Sequence, residues 1–177
     1  ALPFVWIAMQ TYSGRSDIQA VFSVLSEIFR EIKPFSSDIG AVEKFEQLVI
    51  DLSEADSDAG LSSKLDRLIP RARGILAGVA SYESSLTIFI DDIHLLDEAL
   101  QPKLLSVLYS LARDNSVYIK VSGIEPLTRT WDGAGSVGMQ SPHDIQVIRL
   151  DRNLTMPHLS RDHIKQILDV HAKYGGF

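Results

Sequence analysis

The feature that most constrains the fold is a short apolar segment followed directly by two acids, Asp91 and Asp92. The segment, Leu86 to Ile90 in "SSLTIFIDDIHLLDEA", is too short for a helix and apolar enough for a strand buried on both sides. Other short segments rich in β-branched and aromatic residues have the same character. Together they predict strands at residues 4–9, 86–91, 117–122 and 145–150.

Helical patterns lie between and after these strands. Apolar residues recur three or four positions apart in the ranges 17–32, 39–52, 61–82, 97–113 and 159–173. Pro34 ends the first pattern, and Pro70 is expected to bend or divide the third. The alternation predicts an α/β fold of one domain, residues 1–177, with the strands parallel in one sheet and helices on both faces.

Composition narrows the class of protein. The chain has 177 residues, of which 45% are hydrophobic, enough to bury a substantial core. Its formal net charge of −6 argues against a broad grip on nucleic-acid phosphates, which draws on clustered Lys and Arg. The lack of Cys suits a reducing cytoplasm and leaves no thiolate metal site. No apolar run approaches the roughly 20 residues that span a bilayer, so no membrane role is expected.

The acid pair predicts a phosphate site at the carboxyl edge of the sheet. Ligands of parallel sheets bind at the carboxyl ends of strands, where Asp91, Asp92 and Ser122 would all lie. A carboxylate fixed there can hold Mg²⁺ with its water shell. A neighbouring carboxylate can orient or deprotonate a water for attack on phosphorus. A purely structural interpretation stays open, in which Asp91 caps the following turn and Asp92 is solvated.

The segment "LTIFIDDIHLLDEA" resembles the Walker B motif of AAA+ and related STAND ATPases, an apolar strand that ends in Asp and a second acid. The downstream "SVYIKVSGI" is similar to the sensor-1 strand of the same families. The closing "IQVIRLDRNL" more loosely resembles the last core strand, with the residues after about 155 leading toward a lid.

This resemblance implies a three-layer P-loop NTPase-like fold that binds ATP and Mg²⁺ and hydrolyses ATP. Asp91 would hold the metal, Asp92 would stand where the family usually has the catalytic Glu, and Ser122 would sense the γ-phosphate. Because Asp is shorter than Glu, the reach of the second carboxylate is reduced. The resemblance also implies homo- or hetero-oligomers formed through the ATPase core.

The resemblance stops at the phosphate loop, since a Walker A motif needs G-x-x-x-x-G-K-[ST] and no Gly of this chain is followed by Lys. In one interpretation the loop lies upstream of Ala1, and a gap is expected in the sheet beside residues 145–150. In the other, "MQTYSGRS" is a decayed loop in which Met9 replaces the first Gly and Arg15 the Lys. Residues 4–9 would then occupy the inner position between the sensor-1 strand and the last core strand.

Three further features bear on possible sites. Arg129, in "EPLTRTW", is a candidate interface arginine that reaches a neighbouring subunit's phosphate, with an ion-paired or solvated loop residue as the alternative. His94 follows the acid pair on a connector expected to be exposed, so it is expected to be a polar surface residue rather than a metal ligand, which needs partners at fixed spacing. The glycine-rich "WDGAGSVGMQSP" predicts a flexible loop rather than a nucleotide fingerprint.

Two rival classes also fit an acid pair at a strand end. A phosphoacceptor signalling domain needs a third Asp at a later strand end, and Ser122 stands there instead. A non-catalytic interaction module on a degenerate ATPase core could keep both acids without a working phosphate loop. Nucleotide binding separates that module from an active ATPase.

Overall fold

A computed structural model describes residues 3–55, 58–149 and 165 of the chain. The chain divides into two compact units, Ala1–Ile145 and Gln146–Phe177. The described part of the second unit consists of residues 146–149, which have no regular structure, and Lys165, which is helical. The predicted helix at 159–173 therefore lies outside the described residues, apart from Lys165.

The first unit is an α/β arrangement around a parallel sheet. Its elements in chain order are β1 (Phe4–Ala8), α1 (Gln19–Ile32), α2 (Ile39–Ala55), α3 (Asp58–Glu83), β2 (Leu86–Asp91), α4 (Gln101–Ala112), β3 (Val117–Val121), β4 (Trp131–Asp132) and β5 (Val137–Gly138). The parallel sheet has the order β1-β2-β3, with Ile7 opposite Ile90 and Ile90 opposite Val121. The first three predicted strands are thus confirmed as parallel neighbours.

The helices form where the apolar spacing predicts them. In α1 the buried residues recur at helical spacing from Ala20 to Ile32, where the helix ends, and a short 3-10 turn that contains Pro34 follows at Lys33–Phe35. Helix α3 runs for 26 residues and includes Pro70, which faces solvent. Pro70 removes one backbone hydrogen bond without placing its ring in the core, so the helix is not divided there.

The helices cover one face of the sheet. Alternate strand residues, among them Val5, Ile7 and Ile88, are almost fully buried in the core beneath α1, α3 and α4. Connections between neighbouring parallel strands are right-handed, and the steps β1→β2 and β2→β3 run in the same direction across the sheet. Both connections therefore place their helices on the same side.

The opposite face of the sheet is not covered by a described helix, in contrast to the prediction of helices on both faces. It carries Phe4, Trp6, Phe89 and Tyr118, which we call the aromatic face. Phe4, Trp6 and Tyr118 are 49%, 53% and 58% exposed. No helix in the described part of the chain covers these rings, because every described crossover runs the same way.

The predicted strand at 145–150 is wrong for its described residues. Residues 145–149 are irregular, and Leu150 lies outside the described ranges. Ile145 packs against the core, whereas Val147 and Ile148 are more than half exposed. The short β-branched segment that suggested a strand occurs here in residues that pair with no strand in the described structure.

The glycine-rich segment is more ordered than expected. Strands β4 and β5 pair antiparallel, and the resulting hairpin packs against α4. Gly138 has φ +115°, and a side chain there would collide with the Thr130 backbone, so this position requires glycine. Across the described ranges, no helix has the length and apolar character needed to cross a bilayer.

Candidate functional site

Ser122 joins the two strand ends that carry the candidate site. Its Oγ donates to Asp91 Oδ1 at 2.5 Å and accepts from the Asp92 backbone N–H at 2.9 Å. Its backbone N–H donates to Ile90 O at 2.9 Å, and its carbonyl accepts from the Ile93 N–H at 3.0 Å. Because β2 and β3 are adjacent and parallel, Asp91, Asp92 and Ser122 meet at the carboxyl edge of the sheet, as the spacing predicts.

The two carboxylates of the pair differ in setting. Asp91 is the last residue of β2, is partly buried and accepts the short bond from Ser122. Asp92 adopts a left-handed conformation, φ 59° and ψ 46°, and its side chain is 54% exposed. Asp is one of the few residues that tolerate this conformation without glycine. One acid is thus fixed by the sheet, and the second stands at its rim in contact with water.

His94 is not the surface residue that the sequence suggested. It lies in the 3-10 turn Ile93–Leu95, and its side chain is only 10% exposed. Its Nδ1 is buried without a hydrogen-bond partner among the described residues, and Asp92 Oδ1 lies 3.8 Å away. The turn folds the imidazole under the second acid, an outcome that depends on the backbone reversal at Asp92.

Gln101 is a site-supporting residue that sequence reasoning missed. It is 1% exposed, and its Nε2 donates to Leu96 O at 2.9 Å and to Leu127 O at 3.3 Å. Its Oε1 accepts from the Arg129 backbone N–H at 2.7 Å. One amide therefore links the segment after β2 to the segment after β3. The only sequence signal was a Gln beside Pro102 at the start of an apolar helix, which is too common to be specific.

Arg129 lies in an ion-paired loop. Its guanidinium contacts Asp132 at 3.0 Å and Glu98 at 3.9 Å, and the side chain is 43% exposed. The structure does not bring it into contact with the acid pair, and its role toward a neighbouring subunit stays a prediction. Asp132 and Glu98 both lie near the N-terminal end of α4, and their charges hold the Arg129 side chain there.

The donor set at the sheet edge fits a magnesium ion. Ser122 and Asp91 bring a hydroxyl and a carboxylate oxygen together, and Asp92 adds an exposed carboxylate on the next residue; such oxygens are the hard ligands that Mg²⁺ prefers. Within the described ranges, no three His, Cys, Asp or Glu side chains converge on one point as a metal cage. Mg²⁺ commonly uses one or two carboxylates and completes its shell with water and phosphate, so such a cage is not required.

The decayed-loop interpretation of "MQTYSGRS" does not fit the structure. Met9 is fully buried in the core, and Arg15 is exposed with its guanidinium 3.4 Å from Ser23 Oγ. Strand β1 also pairs with β2 rather than with β3. Residues 4–9 therefore do not take the position beside β3 that the decayed-loop interpretation requires.

A separate cavity of about 280 Å³ lies between the segment after β1 and helices α1 and α2. Its lining includes Tyr12, Ser26, Glu27 and Arg30, and it excludes the acid pair. Tyr12 donates a very short hydrogen bond to Glu27. Burial, followed by this hydrogen bond and the charge of Glu27, raises the pKa of Tyr12 well above its usual range. Tyr12 and Glu27 form a local structural contact near β1, at the opposite edge of the sheet from β3.

Comparisons with protein-family models, curated proteins and solved structures found no match for this chain. The features of this chain that bear on function are therefore its acid pair, Ser122 and the order of its strands.

Proposed function

We propose that this chain is the core of an ATP-binding and ATP-hydrolysing ATPase of AAA+/STAND type. The observation that carries the proposal is the bond between Ser122 and Asp91, which joins a strand-end acid pair to the end of the adjacent strand. Serine and carboxylate oxygens that meet at this edge of a parallel sheet suit a phosphate with its magnesium ion. The absence of Cys suits a reducing compartment, and we propose the cytoplasm.

The proposed roles of Asp91, Asp92 and Ser122 follow from their burial and their hydrogen bonds. Asp91, held by β2 and Ser122, is the proposed ligand of Mg²⁺. When bound, Mg²⁺ would neutralise charge on the phosphate oxygens during phosphoryl transfer. Asp92, at the exposed rim, orients a water toward the γ-phosphate and accepts its proton. Ser122, freed from Asp91, donates to a phosphate oxygen, so its hydrogen bond would change partner between the empty and the bound state.

This proposal also requires a phosphate loop, and the 177 residues contain no G-x-x-x-x-G-K-[ST] sequence. Without it, the edge has acids to hold a metal but no array of backbone N–H groups to cradle phosphates. We therefore expect weak nucleotide binding by the 177-residue chain alone. Oligomers formed through the core, with Arg129 reaching a neighbour's phosphate, belong to the same proposal.

The test uses the complete translation product of the reading frame that encodes this sequence. We expect it to bind ATP with Mg²⁺, and we expect Asp92→Asn to abolish hydrolysis while leaving nucleotide affinity within a few-fold. Asp66→Asn, an exposed acid on α3, is the matched control and should hydrolyse ATP at the unmutated rate. Hydrolysis by Asp92→Asn at the unmutated rate would reject Asp92 as the residue that positions water.

A non-catalytic interaction module is the second candidate, and the exposed aromatic face favours it. A surface of this kind is a docking feature whether or not the acids act in catalysis. Failure of the complete product to bind ATP at millimolar concentration, with a folded core, would select this alternative.

A further inference from the structure

His94 is a buried polar residue beside the acid pair. Its side chain is 10% exposed, and its Nδ1 has no hydrogen-bond partner among the described residues. Native structures rarely leave a buried nitrogen unpaired. The Oδ1 atom of Asp92 lies 3.8 Å from this nitrogen, which is about 0.9 Å longer than a typical N–H···O hydrogen bond. A small movement of either side chain would therefore join the two residues.

The backbone around His94 holds its ring in place. The Asp92 carbonyl accepts from the Leu95 N–H at 2.9 Å and closes the 3-10 turn that carries His94. Ile93, inside the turn, and Leu96, just after it, are both buried in the core. The imidazole cannot swing away from the acid pair without displacing one of these residues.

The Asp92 carboxylate is the partner that can move. It is 54% exposed, and no other side chain of the described residues pairs with it. The Asp92 backbone is fixed, because its N–H donates to Ser122 Oγ at 2.9 Å. Rotation about the two side-chain bonds of Asp92 is the freedom that remains, and a closure of about 0.9 Å toward the ring is within its reach.

Electrostatics determines which form of the imidazole suits this contact. A neutral imidazole carries a proton on one ring nitrogen and a lone pair on the other. A lone pair on Nδ1 would face the negative oxygen of Asp92 and repel it, whereas an N–H at Nδ1 would attract it. The hydrogen bond that a histidine makes decides which nitrogen holds the proton. The carboxylate of Asp92 therefore selects the Nδ1–H form of His94.

We propose that His94 is the positioning residue of Asp92. Its Nδ1–H donates to one carboxylate oxygen and leaves the second oxygen free to orient the attacking water. A carboxylate at the rim without this bond samples several orientations, and the bond selects one of them. The contact follows from the geometry of the turn, and its part in catalysis rests on the proposed function.

Nitrogen-15 NMR of the histidine-labelled chain tests the contact without nucleotide. The chain has five histidines, and the signals lost in His94→Asn assign the His94 ring. At about pH 9, where histidines are neutral, we expect the His94 proton on Nδ1. Asp92→Gly removes the carboxylate, suits the left-handed backbone and should abolish this preference. A proton on Nε2 in the unmutated chain, or an Nδ1–H that persists in Asp92→Gly, would overturn the proposal.

ATP hydrolysis by the complete translation product tests the positioning role. Asparagine carries its amide nitrogen on Cγ, as imidazole carries Nδ1, whereas leucine branches at Cγ without a donor. We expect His94→Leu to lower kcat by about 10- to 100-fold with KM for ATP within a few-fold, and His94→Asn to keep most of kcat. His143→Leu, at an exposed loop position, is the matched control and should keep the unmutated kcat.

An unchanged kcat in His94→Leu would overturn the positioning role. Equal losses in His94→Leu and His94→Asn would also overturn it, because the ring would then act only by filling space. The proposed function fails separately. An Nδ1–H form without ATP hydrolysis rejects the ATPase and with it the catalytic part of this proposal, and ATP hydrolysis with an Nε2–H form rejects His94 as the positioning residue alone.

Discussion

At the scale of single residues, Ser122 determines how the strand ends meet. Its hydroxyl uses both its donor and its acceptor capacity, toward Asp91 and toward the Asp92 backbone, and its main chain bonds to Ile90 and Ile93. A hydroxyl hydrogen-bonded to a partly buried carboxylate contributes more than a neutral pair in water. The same side chain that is proposed to sense phosphate therefore stabilises the junction between the ends of β2 and β3.

Replacing Ser122 with alanine should lower the free energy of unfolding by about 1–2 kcal/mol, because both hydroxyl bonds are lost. Urea denaturation measures the change. Ser110→Ala is the control, since that hydroxyl only bonds back to Ser106 O within α4. Equal effects of the two substitutions would show that the contact with Asp91 contributes nothing specific.

Tyr12 gives a prediction about alkaline pH. Folding raises its pKa above the usual value near 10, so the folded state favours the protonated phenol. The resulting stability is fully present below about pH 10 and is lost as the pH rises through the folded-state pKa. The free energy of unfolding should therefore fall more steeply above about pH 10 in the unmutated chain than in Tyr12→Phe. Equal alkaline slopes for the unmutated chain and Tyr12→Phe would contradict this prediction.

At the scale of elements, short apolar segments and helical spacing are enough to predict three strands and the helices between them. The adjacency of Asp91 and Ser122 was also predictable, because strands joined by one helix are commonly neighbours. The uncovered face was not. Phe4, Trp6 and Phe89 make β1 and β2 apolar on both sides. This sequence pattern is the same whether one face of the sheet or both faces are covered by helices.

Gln101 shows the other limit of sequence reasoning at this scale. Its burial arises when the segment after β3 folds back over the start of α4, a tertiary contact that local pattern does not encode. The same holds for His94, which is buried by the left-handed turn at Asp92. The strand prediction for residues 145–149 is wrong for the opposite reason, since their β-branched sequence has no sheet partner in the described structure.

Replacing Gln101 with leucine should destabilise the first unit by on the order of 2–3 kcal/mol. The substitution leaves the buried Leu96 O without its amide partner and removes the partly buried bonds to Leu127 O and from the Arg129 N–H, and an unpaired buried carbonyl is costly. Gln47→Leu, at an exposed position on α2, is the matched control and should change stability by less than about 0.5 kcal/mol. A small effect at Gln101, measured by urea denaturation, would mean that the loop after β3 is held by other contacts.

At the scale of the whole molecule, the first unit has one core on one side of its sheet. Every strongly buried strand residue lies on the helix-covered face, while the opposite face presents aromatic rings to water. The hydrophobic effect favours any apolar group that removes this surface from solvent. The exposed rings are too few to hold two copies together but sufficient to bind a small aromatic probe.

The 177-residue chain should therefore bind the dye ANS in its folded state while sedimenting as a monomer at micromolar concentration. The double substitution Phe4→Thr and Trp6→Thr should reduce ANS fluorescence several-fold, because threonine keeps the β-strand preference and removes both rings. Tyr82→Thr, which removes an aromatic ring that is 69% exposed on α3, should leave the dye signal unchanged. Cooperative urea unfolding in every variant confirms that the dye reports the native face rather than a loosened core. Undiminished ANS fluorescence in the double variant would place the apolar surface of this chain elsewhere, and would remove the physical basis for a docking face on the sheet.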